Sequence, residues 1–178
     1  HTVTRRQRQM CIRDRNKLLQ TTEEDYVIAS DTDSIYLNLG PIVDKFLGHK
    51  SSDKTAVVEL LDKICQDKLE PYIDTCYQNL ATYVSAYDQK MQMKRENIAD
   101  RGIWTAKKRY ILNVWNSEGV AYAEPKLKVM GIESVKSSTP APCRKMLKDA
   151  FQILMTGTED DMIAFIDKSR EEFNKLPQ

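Results

Sequence analysis

Hydrophobic and polar positions change rhythm along this chain, and each change marks an element. Residues 26 to 40, YVIASDTDSIYLNLG, hold two short runs rich in β-branched and aromatic residues on either side of a polar knot. That pattern predicts two strands joined by an acidic turn. A polar entry at residues 50–52 leads into a stretch from Asp53 to Tyr87 where Val57, Leu60, Leu61 and Ile64 recur at helical spacing. Pro71 marks a break there or the first turn of a second helix, and the apolar stripe reads as core covering one face of a sheet. Residues 90–98 (KMQMKRENI), 103–115 and 120–131 predict three further strands, with a turn at Ser117-Glu118-Gly119. Pro140 to Gly157 and Thr158 to Leu176 then read as two amphipathic helices, with Gly157 as the stop of the first. The order is two strands, helices, three strands, two helices. It predicts an α+β fold, a largely antiparallel sheet with an acidic hairpin, packed by helices.

Composition fits a globular body. The chain has 178 residues, 41% of them hydrophobic, enough for one core or part of a larger one. The first fifteen residues, HTVTRRQRQMCIRDR, stand apart, with five Arg, one Asp and no apolar periodicity. Their ending, MCIRDR, resembles translated sequencing-adapter sequence, so residues 1–15 are expected to be non-native; a basic arm for nucleic acid is the other reading. Removing them from the 27 basic and 26 acidic residues leaves 22 against 25, a net charge of −3. The body is not globally basic, and contact with a polyanion must come from local patches. Cysteines at 11, 65, 76 and 143 show no close pairing and no nearby His, which argues against a zinc site or a Cys-His nucleophile and for reduced thiols in a cytoplasmic setting. No apolar run approaches a membrane span, and no membrane partner is expected.

Candidate chemistry gathers at the hairpin. Asp31 and Asp33, one residue apart in a tight turn, would be rigid oxygen ligands for a hard divalent cation such as Mg²⁺. Asp, Thr and Ser are also ordinary turn residues, and that reading stands beside the first. A helix-loop-helix calcium loop would need Gly at its sixth position and Glu at its twelfth, where this chain has Tyr36 and Ile42, and is excluded. Farther on, Lys107, Lys108, Arg109 and Tyr110 fall within the predicted strand 103–115. Alternation would send Lys108 and Tyr110 to one face and Lys107 and Arg109 to the other. Lys126, Lys128 and Lys136, with Ser137, Ser138 and Thr139, form a second polar-basic stretch suited to phosphate, although surface solubility explains the lysines as well. Gly131 reads as a place of close backbone approach, and Trp104 and Trp115 as core residues.

A strand, DTDS and a second strand opening Ile-Tyr resembles the carboxylate hairpin in the palm of family B DNA polymerases. Residues 104–115, WTAKKRYILNVW, are similar to that family's basic palm motif, which also lies downstream. Residues 125–140, PKLKVMGIESVKSSTP, resemble its passage from palm to thumb, most nearly in T-even-like phages. The likeness covers roughly residues 25 to 178.

The resemblance implies a division into residues 16–136, the C-terminal part of the palm, and 137–178, the start of the thumb. It implies template-directed transfer of a deoxynucleoside monophosphate to a primer 3′ end with two Mg²⁺ ions. Asp33 would be the firm ligand and Asp31 the weaker one, with Ser30 where the family usually has Gly. Glu96 would be a third acidic group near the metals, or a charge paired with a neighbouring Lys or Arg. Lys108 would meet the primer or the minor groove. The implied partners are primer-template DNA, deoxynucleoside triphosphates and a sliding clamp, and the implied place is the host-cell cytoplasm. The family's first metal-binding carboxylate and nucleotide-binding helix are not recognisable in residues 1–25, so the chain reads as a piece that is inactive alone. A non-catalytic nucleic-acid-binding module of the same shape is the competing expectation.

Overall fold

A computed structural model of the chain describes residues 26–31, 34–48 and 53–175. The chain divides into two compact units at Leu69/Glu70.

The first unit carries the hairpin β1 (Val27–Ser30) and β2 (Ile35–Leu37), antiparallel, with Ala29 opposite Tyr36 and Ser30 opposite Ile35. The pairing is interrupted by a bulge between Val27 and Ala29, and Tyr26 and Val27 are buried. Helix α1 (Gly40–Leu47) follows and buries Ile42 and Val43, where the sequence pattern predicts no element. Gly40-Pro41 has the composition of a breaker, yet Pro fits the first helical turn, where its missing N–H is not needed. Helix α2 (Lys54–Ile64) is capped by Asp53, whose carboxylate accepts from the Thr55 and Ala56 N–H groups. Leu61 is its buried residue, and Val57, Leu60 and Ile64 are half-buried on the predicted stripe. A π turn, Cys65–Leu69, ends the unit.

The second unit opens with helix α3 (Glu70–Tyr83), with Pro71 in its first turn as one of the two expected readings has it. Three antiparallel strands follow in the order β3 (Asn97–Ala106), β4 (Arg109–Ser117), β5 (Val120–Met130). They form a sheet separate from the β1–β2 hairpin. Two expectations are corrected here. Residues 90–96 are not a strand: the Arg95 N–H donates to the Glu70 carboxylate, 3.0 Å away, instead of to a ladder. Residues 103–115 are not one strand but two, broken at Lys107-Lys108, and β3 begins at Asn97. The run Ala99-Asp100-Arg101-Gly102 has weak strand propensity, but pairing with β4 overrides it.

The central strand β4 is the most buried, from Ile111 at 2% exposure through Val114. Ile111, Ile132 and Met155 form a core with Ile103, Leu127, Val129 and Phe151, so the element that closes this face is helix α4 (Ala141–Thr156). Gly157 ends α4, as the sequence predicts, and Thr158 caps α5 (Glu159–Asn174). Thr158 and Asp161 form a reciprocal capping box, and the bonds from Thr158 hold the Asp161 carboxyl below its ordinary pKa. Cys65, Cys76 and Cys143 are free thiols. Among the described residues no helix is long and apolar enough to cross a membrane.

Candidate carboxylate hairpin and nucleic-acid interface

Strands β1 and β2 pair as far as Ser30 and Ile35, on either side of the acidic turn. The Asp31 N–H donates to the Ser34 carbonyl at 2.9 Å, and Asn38 N–H to the Tyr26 carbonyl at 2.7 Å, closing both ends of the ladder. Only Thr32 and Asp33 intervene between Asp31 and Ser34, and both lie outside the described residues. Asp31 is half-buried at the end of β1. Among the described residues no three acidic, His or Cys side chains are grouped as a metal site.

Glu96, the other acidic candidate, is exposed in the second unit and bonds to the Lys128 ammonium. That bond is the main cause of its lowered pKa, which partial burial opposes. Of the two readings of Glu96, the structure displays the paired charge. Lys126 is engaged too, its ammonium 4.0 Å from the centre of the Tyr122 ring.

The basic motif is a turn. Ala106 pairs with Arg109, so Lys107 and Lys108 are the two exposed residues at the tip of the β3–β4 hairpin. They do not alternate across a sheet as predicted, because a two-residue turn follows no strand period. Lys108 takes φ +61°. The alternation does hold for the next pair: Tyr110 stacks obliquely near Trp104, ring centres 6.3 Å apart, while Arg109 leaves the other side.

Arg109 leads to the residue that sequence reasoning missed. Its guanidinium bonds the Glu133 carboxylate at 2.6 Å, and the Lys136 ammonium bonds the same carboxylate at 3.1 Å. The Glu133 pKa is pulled down to about 2, first by its own backbone N–H, then by Lys136 and Arg109. Its three-residue spacing from Lys136 was a visible sign of half the bridge; the Arg109 half needed the fold. Gly131 lies against the same turn, and a Cβ there would sit 2.1 Å from the Lys108 carbonyl. The close approach read from the sequence is thus to a neighbouring turn. Ser137, Ser138 and Thr139 follow Lys136 in an irregular segment, with Thr139 N–H bonded to the Lys136 carbonyl. Arg109 and Lys136, far apart in sequence, are therefore brought together on one carboxylate. Lys126 and Lys128 instead belong to β5, paired with Val114 and Leu112.

No family model matches the chain. Among curated proteins it is 41% identical over 148 residues to the DNA-directed DNA polymerase of Escherichia phage RB69, covering 79% of this chain and 16% of the relative. It is 32% identical over 169 residues to the DNA-directed DNA polymerase of Enterobacteria phage T4, covering 90% of this chain and 19% of the relative. The chain spans less than a fifth of the length of either. It is related to one segment of the T4-like family B DNA polymerases.

Proposed function

We propose that the chain supplies the C-terminal part of the palm, residues 16–136, and the start of the thumb, residues 137–178, of a template-directed DNA polymerase. Identity to two phage DNA-directed DNA polymerases across most of the chain carries this reading. The parent reaction would join a deoxynucleoside monophosphate to a primer 3′-hydroxyl and release pyrophosphate. Its substrates would be primer-template DNA and deoxynucleoside triphosphates, and a sliding clamp and the host-cell cytoplasm belong to the same reading.

Carboxylate oxygens on a tight hairpin are the donors that Mg²⁺ prefers, and Asp31 fits that requirement at the end of β1. Asp33 and Asp31 would hold the two ions, with Asp33 the firmer ligand; Glu96, which the resemblance to family B polymerases adds as a third acidic group, is bonded to Lys128. When bound, the ions activate the attacking hydroxyl and stabilise charge on the departing pyrophosphate. The chain's own work is positioning, which needs no side-chain nucleophile. Lys107 and Lys108 would face the duplex backbone from the β3–β4 turn, with Arg109, Lys136, Ser137, Ser138 and Thr139 beside them. Tyr110, braced near Trp104, would offer a rigid aromatic surface, and Lys126 and Lys128 would add charge from β5.

The test is a graft. Residues 25–178 replace the matching segment of the RB69 phage polymerase, and primer extension is measured with and without Mg²⁺. Mg²⁺-dependent extension is expected. A graft that folds and binds duplex yet adds no nucleotide would instead support a non-catalytic binding module.

A further inference from the structure

Glu133 stands inside a basic surface, where a carboxylate repels phosphate. By charge alone a neutral residue would serve a polyanion better. What Glu133 does is geometric: it bonds Arg109 at the base of the β3–β4 turn and Lys136 at the head of the 136–139 segment. Lys136 is tied to it again by a backbone bond to the Glu133 carbonyl at 3.2 Å, and Thr139 N–H in turn bonds the Lys136 carbonyl. On the other flank Gly131, just past the end of β5, lies against the Lys108 carbonyl, so the chain on either side of Ile132 touches the turn.

We propose that Glu133 is a positioning residue that joins the β3–β4 turn and residues 136–139 into one surface for a nucleic-acid backbone. The inference rests on the nucleic-acid reading above. Without the carboxylate, Arg109 and Lys136 repel each other and must be ordered anew on binding, which costs side-chain entropy. The depressed pKa, set first by the backbone N–H of Glu133 itself and then by Lys136 and Arg109, agrees with a carboxylate held charged in this place.

The test measures binding of a labelled primer-template duplex to the 178-residue chain over a range of salt concentrations, for the unsubstituted chain, Glu133→Ala and Glu133→Gln. Both variants gain one unit of positive charge, so electrostatics alone requires tighter binding and a steeper salt dependence from each. Positioning requires the reverse. Glu133→Ala should bind roughly fivefold more weakly, the scale of a partly exposed ion pair, and lose about one phosphate contact from the salt slope. Glu133→Gln keeps an oxygen acceptor for Arg109 and should recover part of the loss. The same substitutions in the graft give a second measurement if Glu133→Ala perturbs folding of the isolated chain. Tighter or unchanged binding by both variants would overturn the role assigned to Glu133. Absence of binding by the unsubstituted chain and the unsubstituted graft would overturn the nucleic-acid reading itself, and this inference with it.

Discussion

Two carboxylates, Asp33 and Glu133, carry the sharpest expectations for single residues. If Asp33 holds a catalytic ion, Asp33→Asn removes a ligand charge at nearly constant volume. Nucleotide addition by the graft should then fall by orders of magnitude, because a correctly held ion contributes several kcal/mol to the transition state. Asp31→Asn should cost less; equal single-turnover rates for Asp33→Asn and the parent graft would remove the assignment. Glu133 has its own pH signature. Its folded pKa, about 2, lies below the ordinary 4.5, so its contribution to the folded state is full above pH 4.5 and is lost as pH falls through about 2. A carboxyl NMR titration should find Glu133 still ionised at pH 3.5; a midpoint near 4.5 would mean that neither the backbone bond nor the bridge holds the carboxylate in solution.

At the scale of elements, the β3–β4 turn shows where a period fails as a guide. Residues 104–115 have the aromatic and β-branched content of one strand, and nothing local announces that Lys107-Lys108 turns, since neither residue is Gly, Asn or Asp. The turn does have a close neighbour: Gly131, at φ +67°, brings its backbone against the Lys108 carbonyl. Gly131→Ala should therefore both strain the backbone and force the turn away, costing roughly 2 kcal/mol or more in chemical denaturation. Gly119 at the β4–β5 turn also has positive φ, +88°, but a Cβ there meets nothing within 4 Å. Gly119→Ala should cost only about 1 kcal/mol. Equal losses for the two would show that the contact with Lys108 is unimportant. By contrast, the stop of α4 at Gly157 was readable, because it is local chemistry, and the Thr158–Asp161 capping box beside it is equally local although the structure supplied it.

At the scale of the whole molecule, the chain spans 16% and 19% of the two phage relatives, and the proposed reading makes it one segment of a longer enzyme. The purified chain should show no primer extension at any Mg²⁺ concentration, while the graft extends. Extension by the chain, surviving removal of contaminating polymerase, would contradict the fragment reading. The sequence by itself determined the α+β class, the acidic hairpin, the terminal helix pair and the relationship to polymerases, since each rests on residues near one another in the chain. Tertiary structure decided the rest. It made β3 from a weak strand sequence by pairing it with β4, chose α4 to close the sheet core, set Glu96 against Lys128, and joined Arg109 to Lys136 through Glu133. Those outcomes depend on which distant residues become neighbours, and hydrophobic period and turn chemistry act only over a few residues at a time.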